Sequence, residues 1–359
     1  MEKFAFIIHP LQAKADVARK YPFVKYLPEG LVEWGLKHKS PMEVSHITGI
    51  RSITGAEAEG WFVGCPLTSR QLITLPVDVV YDKIIQTGRL AEAHGAKIVG
   101  LGAFTSVAGD GGITVAKNLD IAVTTGNSYT VATALEGTIK AAKMMGIDPA
   151  QAKAAVVGAG GSIGRTCARI LTPQVDEIAL IGRNLEPLNK VATEITDETD
   201  KTPKVYTEIA TGIRDADMVI TVTSAIDAVI HPSDIKSGAV ICDVARPRDV
   251  SVRVQKERND VLVIEGGVVA VPGDVEFHFN FGFPPKTAYA CMSETMILAL
   301  EGRYEDFTLG KDVSVEQVRE ISRLAEKHGF RLAGFRSFER AVSDEYIEQV
   351  RENAARARR

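Results

Sequence analysis

A chain of 359 residues, 45% hydrophobic and 25% charged, is long enough for two domains that each bury a core. Its net charge of −4 gives no reason to expect nucleic acid or an anionic membrane as partner. No apolar run reaches the length of a membrane span, and Met1-Glu2-Lys3 leads into a short strand rather than a signal segment, so a cytoplasmic protein is expected. The cysteines Cys65, Cys167, Cys242 and Cys291 lie far apart without a C-x-x-C pair, which indicates neither a disulfide framework nor a metal site.

In chain order, residues 3–8 read as a strand, followed by His9-Pro10, whose histidine either faces a site or serves the strand end. A helix is expected over Gln12–Lys20, a strand over Glu57–Val63, and a helix opened by Pro76 from Val77 to His94. The apolar strand Lys97–Gly102 then leads to Ala103-Phe104-Thr105-Ser106, a hydroxyl-rich end that makes Thr105 and Ser106 substrate candidates. Residues 1–130 lack a phosphate-binding fingerprint and are assigned to substrate. Ile121–Val123 leads to Thr124-Thr125-Gly126-Asn127-Ser128 and a helix to about Gly146, with Asn127 or Ser128 as cap. Val131, Ala134, Leu135, Ile139 and Ala142 give that helix (131–150 as connector) a scaffold face, while Thr125, Asn127 and Thr130 are either site residues or caps.

The stretch Ala154–Gly164 organises the rest. An apolar run ends in Gly158-Ala159-Gly160-Gly161-Ser162-Ile163-Gly164 and passes at once into an apolar-periodic helix, the strand–turn–helix of a dinucleotide-binding βαβ unit. Gly158 allows the turn, Gly160 the approach of a pyrophosphate, and Gly164 close helix–strand packing, with the helix N–H groups facing the phosphates. About twenty residues on, Glu177–Ile181 runs into Gly182-Arg183-Asn184. Arg183 stands where an NAD enzyme usually has an acidic residue, and its planar cation suits a 2′-phosphate, so NADPH is the expected cofactor. Apolar runs at 204–206, 218–222, 239–243 and 261–264 alternate with helical connectors, as a parallel sheet covered on both faces requires. The loops at the strands' carboxyl ends, with Thr223, Ser224, Asp243–Arg246 and Glu265–Gly267, fall near the cofactor. Residues 151–275 are read as this cofactor domain.

Residues 276–359 are read as a C-terminal helical segment. Phe277, Phe279, Phe281 and Phe283 alternate, which puts one aromatic face on an extended segment, either packed on the core or forming a wall for a greasy substrate. After Pro284-Pro285 a helix is expected with Thr287 as N-cap, ending near Glu301-Gly302; its first turn holds Cys291, beside Tyr289. That position favours a thiolate, with Lys286 as a further cation. Further helices are expected over 314–329 and 338–359. The whole reads as an α/β protein of two domains, a Rossmann-type doubly wound parallel sheet plus an N-terminal α/β substrate domain, with C-terminal helices packing back.

Several stretches together resemble the long-chain acyl-(acyl carrier protein) reductases that form fatty aldehydes: Gly102–Ser106, Thr124–Asn127, Val156–Ala159 with Ile163-Gly164, Gly266–Val269, and Ala290-Cys291 with Glu294 and Glu301-Gly302. They recur in that order over residues 4–332. The resemblance implies Cys291 as catalytic nucleophile, the Gly158–Gly164 turn as NADPH site, and an acyl carrier protein or CoA thioester as substrate, and leaves room for an aldehyde-consuming enzyme as partner. The turn departs from the family, reading Gly-Ala-Gly-Gly-Ser where Gly-Ala-Thr-Gly-Asp is expected. The 270–287 loop also differs, and residues 333–359 extend beyond the family's end. Two rival readings remain: an NADP-dependent dehydrogenase of a small polar substrate, like the shikimate and amino-acid dehydrogenases, and a non-catalytic NADPH sensor. The proton donor stays open among His278, Lys286 and Tyr289.

Overall fold

The computed structural model of the protein describes residues 1–11 and 13–358. The chain divides into two compact units: residues 1–126, 270–312 and 320–331, and residues 127–269, 313–319 and 332–359.

The first stretch of the first unit contains β1 (Glu2–Ile8), α1 (Ala13–Lys20), α2 (Glu29–His38), β2 (Met42–Arg51), β3 (Glu57–Gly64), α3 (Ser69–Thr74), α4 (Val77–Ala93), β4 (Ile98–Leu101), α5 (Phe104–Val107), α6 (Ile113–Ala116) and β5 (Ala122–Thr124). The second unit supplies α7 (Asn127–Met144), β6 (Lys153–Val157), α8 (Ser162–Leu171), β7 (Glu177–Ile181), α9 (Leu185–Glu198), β8 (Lys204–Tyr206), α10 (Ile209–Ile213), β9 (Met218–Thr221), β10 (Val240–Asp243), α11 (Val252–Glu257) and β11 (Leu262–Glu265). The chain then returns to the first unit with the strand Gly273–Glu276 and helix α12 (Ala290–Leu300). Helix α13 (Val315–His328) follows, and the hairpin Phe335–Ser337/Arg340–Val342 and helix α14 (Asp344–Ala357) belong to the second unit.

In the first unit β3, β1, β4 and β5 are parallel neighbours, and β2 and Gly273–Glu276 extend the sheet antiparallel beyond β3. Alternation along the strands sorts the core. Ala5, Ile7, Val63, Val99 and Leu101 share one apolar cluster with α4. Phe6 belongs to the other face, where a Cβ at Gly100 would meet both Phe6 and Thr295 of α12. Gly100 thus lets α12 lie close on β4.

The second unit's sheet runs β11-β10-β9-β6-β7-β8, all parallel. Ala154, Val156, Ile220, Cys242 and Ile264 enter one cluster, while Ala155, Val157, Val219, Ile241 and Val263 enter the other. Both faces are therefore buried, which is why these strands read as unbroken apolar runs. Phe335 of the hairpin and Ile347 and Val350 of α14 join the first of these clusters, so the C-terminal segment packs back on this sheet.

Two expectations change, and the start of a third lies outside the described residues. The helix from residue 338 is instead a hairpin followed by α14, with Phe338 and Glu339 at left-handed φ values of 47° and 67° making the turn. The start of the expected Gln12 helix lies outside the described residues; α1 covers Ala13–Lys20. The alternating phenylalanine segment is not a strand. Its strand stops at Glu276, and left-handed φ values at His278 (48°) and Gly282 (88°) break the alternation. The rings gather around Phe62 instead, with Phe277, Phe279 and Phe281 centred 6.0, 6.1 and 5.6 Å from it. Phe283 continues the cluster 5.5 Å from Phe281 and 4.2 Å from Tyr289.

Candidate active site and nucleotide cradle

In the first unit the carboxyl ends of β1, β4 and β5 share one edge, where open α/β sheets place their ligands. After β4, the Thr105 hydroxyl donates to the Gly102 carbonyl at 2.8 Å and accepts from the Gly102 N–H at 3.0 Å. Ser106 donates to the Ala103 carbonyl at 2.7 Å. Both expected substrate contacts are thus buried staples of the turn. After β5, Thr125 donates to the Thr308 carbonyl at 2.5 Å, and Gly126 follows at φ 75°. A Cβ on Gly126 would stand 2.4 Å from the Cα and 2.8 Å from the carbonyl oxygen of Cys291. Glycine is required there because α12 begins directly against the backbone after β5.

Helix α12 starts at Ala290, later than expected. Thr287–Tyr289 is extended, and the Thr287 hydroxyl donates to the Pro284 carbonyl at 2.7 Å rather than capping the helix. Lys286, at φ 59°, turns the chain before this strand. Cys291 is therefore the second helical residue, and the N-cap, Tyr289, makes no side-chain cap. First-turn N–H groups lack intrahelical acceptors and carry the positive end of the dipole. One turn on, the fully buried Glu294 accepts from Thr124 Oγ1 at 2.5 Å and Thr308 Oγ1 at 3.2 Å. The sequence reading placed Glu294 among the family-like residues but gave it no role. Its signal is a lone carboxylate, three residues after Cys291, in an otherwise apolar helix of Met292, Met296, Ile297, Leu298 and Leu300.

Cys291 is half-buried, whereas Cys65, Cys167 and Cys242 are buried. Burial pushes the Cys65 thiol up to about 11 and Cys242 to about 12, and raises Cys167 further. Two neighbours in sequence are engaged elsewhere. The Lys286 ammonium pairs with Asp274 at 2.8 Å, and His278 Nε2 lies 3.3 Å from Thr48 Oγ1. Tyr289 stacks on the phenylalanine cluster. Among the described residues no group of three or more His, Cys, Asp or Glu side chains could hold a metal ion.

In the second unit the glycine turn joins β6 to α8. Gly158 has φ 86°, and a Cβ there would meet the Val222 carbonyl oxygen at 2.4 Å. A Cβ on Gly164 would meet the Gly158 oxygen at 2.2 Å, so both glycines serve close backbone packing. Ala159 and Gly161 use their N–H groups inside the turn, on Ile181 and Gly158. Ser162 and Ile163 open α8, a helix start where Gly161 is the N-cap without a side-chain cap. A glycine turn that opens a helix in this way fits a pyrophosphate. Arg183 is exposed just beyond the carboxyl end of β7. Thr223 differs from expectation: its hydroxyl donates to buried Asp249 at 2.5 Å, and Asp249 also accepts from Thr221 at 2.6 Å. Ser224 is exposed and Asn127 is buried as the first residue of α7. Asp243 accepts the Val250 N–H at 3.0 Å, and burial pushes its carboxyl up to about 6.

The second unit is therefore a nucleotide-binding domain of the type used by NAD(P)-dependent oxidoreductases. A family described as Shikimate / quinate 5-dehydrogenase matches residues 140–265, within this unit. Aminotransferase PigE of a Serratia species is 31% identical over 348 residues, covering 91% of this chain and 39% of that protein. The chain thus spans about two fifths of that relative. The long-chain acyl-[acyl-carrier-protein] reductase of Synechococcus elongatus is 28% identical over 342 residues, covering 89% of this chain and 95% of the other. Glutamyl-tRNA reductase of Caldicellulosiruptor saccharolyticus is 34% identical over 115 residues, 32% of this chain and 28% of that protein. The resemblance to long-chain acyl-(acyl carrier protein) reductases read from the motifs thus extends over 89% of the chain.

Gly126→Ala should force α12 away from β5 at Cys291, because the added Cβ meets backbone rather than a movable side chain. We expect about 1–3 kcal/mol lower stability in urea unfolding. Iodoacetamide labelling of Cys291 should change in rate, while Cys65, Cys167 and Cys242 stay unlabelled in the folded protein.

Proposed function

We propose that this protein reduces a long-chain fatty acyl thioester, carried on an acyl carrier protein or CoA, to the fatty aldehyde with NADPH. The observation that carries this reading is the half-buried Cys291 in the uncapped first turn of α12, beside an aromatic cluster ending in Phe283 and Tyr289. The likeness to a reductase of the same substrate class over most of both chains supports it. The dehydrogenase of a small polar substrate draws support from the family match, but that match covers residues 140–265 and does not reach Cys291.

Cys291 Sγ, as thiolate, attacks the thioester carbonyl carbon. The carbonyl pair moves to oxygen, where first-turn N–H groups of α12 hold the charge. The pair returns, the bond to the carrier sulfur breaks, and that sulfur leaves and takes a proton, which leaves an acyl-Cys291 thioester. The backbone of Gly160, Ser162 and Ile163 would hold the pyrophosphate of NADPH and Arg183 its 2′-phosphate, and the bound cofactor would supply the hydride that brings the acyl group to the aldehyde level. Release of aldehyde restores the Cys291 thiolate. Gly126 and Glu294 hold the first turn in place throughout. The phenylalanine cluster offers the acyl chain an apolar wall, and Thr105, Ser106 and Thr125 shape the polar edge through their turns.

With acyl thioester and no NADPH, intact mass should show one added acyl group. Cys291→Ser should remove the thioester-linked adduct and lower aldehyde formation by at least about a hundredfold while NADPH binding remains. Near-normal aldehyde from Cys291→Ala would sink the covalent route. Arg183→Asp should weaken NADPH relative to NADH by about 10- to 150-fold in a binding titration, the loss expected for a charge-assisted contact. Phe281→Ala should shift the preferred acyl length, with a change of about 0.8 kcal/mol per CH₂ no longer buried, read from kcat/KM across chain lengths.

A further inference from the structure

Six large apolar side chains stand exposed within residues 11–40: Leu11, Tyr21, Phe23, Tyr26, Leu31 and Trp34. They are six of the seventeen such side chains among the described residues, drawn from thirty positions. Phe23 and Trp34 are each 62% exposed and Tyr26 is 78% exposed. Folding does not call for them. The segment has its own small core, in which Ala13, Val24 and Val32 pack with Val17, Leu27 and Leu36. Helix α2 is thus apolar on two sides, and Leu31 and Trp34 occupy the outer one.

The same segment departs from the charge of the chain. Residues 11–40 hold six Lys or Arg and three Asp or Glu, a balance of +3 in a protein of net −4. Two of the three acidic groups are turned to internal uses, while Glu29 is exposed: Glu33 is buried against Arg70 and Thr68, and Asp16 accepts the Leu11 N–H at 2.8 Å. Two of the lysines lie over aromatic rings, Lys25 over Tyr26 at 4.9 Å and Lys39 over Tyr21 at 5.2 Å. The segment is held to the unit by Gln71 Nε2 donating to the Glu33 carbonyl at 2.9 Å and by Lys83 donating to the Lys39 carbonyl at 3.0 Å.

We infer that residues 11–40 form a docking surface for the headgroup zone of an anionic lipid bilayer. Trp, Tyr and Lys together are the composition of a membrane interface, whereas protein–protein interfaces favour aromatics with Arg and are poor in Lys. The aromatics enter the headgroup region while the lysines meet the lipid charge. Among the described residues no helix is long and apolar enough to cross a membrane, and the contact inferred here is a peripheral one. The segment leaves β1 at its carboxyl end, the same sheet edge as the carboxyl ends of β4 and β5. This docking holds whether or not the thioester reaction does.

The test is co-sedimentation of the full chain with vesicles of phosphatidylglycerol and phosphatidylcholine in about equal parts. The wild type should sediment with these, at least about tenfold less with phosphatidylcholine alone, and less again when salt screens the charge. Phe23→Ser/Tyr26→Ser/Trp34→Ser should lose at least about tenfold in vesicle binding with its circular dichroism unchanged. Lys25→Glu/Lys39→Glu should do so independently, which covers a triple variant that fails to fold. Wild type that ignores anionic vesicles overturns the inference. So does vesicle binding that survives both variants, or a patch that binds purified acyl carrier protein and no vesicle, since its occupant is then an acidic protein.

Discussion

The hydrogen bonds of Glu294 are the constraint on which the candidate site depends. A carboxylate inside an apolar helix is tolerated only where its oxygens are satisfied. Thr124, at the end of β5, and Thr308 satisfy them. That pairing fixes the first turn of α12 against the strand end, and the missing side chain at Gly126 lets the two backbones meet there. These two facts set the position of Cys291. A thiol on the second residue of an uncapped helix, half-buried, is a different chemical group from the three sealed inside the cores.

The second unit rests on the same physics applied to a parallel sheet. Two-sided burial leaves only the strand ends free for ligands, and the glycine turn after β6 brings the start of α8 to one of them. The neighbouring ends are closed by carboxylates turned inward. Asp249 holds Thr221 and Thr223, and Glu265, almost fully buried, receives Arg246 at 3.4 Å, Arg248 at 3.3 Å and the Glu339 N–H at 2.6 Å. The last of these ties the hairpin after residue 333 to the sheet edge. The C-terminal extension is therefore part of this unit's core and edge rather than a solvated tail.

The N-terminal helices show why a whole-chain charge is a poor guide to partners. A net of −4 averages over a segment of +3 in which Glu33 is buried against Arg70 and several aromatics are exposed. Electrostatic attraction falls off within a Debye length, so a surface responds to the charges near it and not to the sum.

Periodicity and turn chemistry by themselves determined the α/β class, the parallel strand runs of both sheets but not the antiparallel β2 and Gly273–Glu276, and the Gly158–Gly164 turn with Arg183 beyond the next strand. These are local properties: burial on two faces writes continuous apolar runs, and a backbone turn that admits no Cβ writes glycine. The position of Cys291 in a first helical turn was also legible, because two prolines bar a helix before it. Tertiary structure decided the rest. Thr105 and Thr223 look like ligand hydroxyls until their partners, Gly102 and Asp249, are seen. The phenylalanines look like one face of a strand until left-handed residues at 278 and 282 fold them onto Phe62. Glu294 has no meaning until Thr124, 170 positions earlier, lies beside it. Each of these depends on a contact between residues distant in sequence or on a backbone conformation set by packing, and no window of neighbouring residues encodes either.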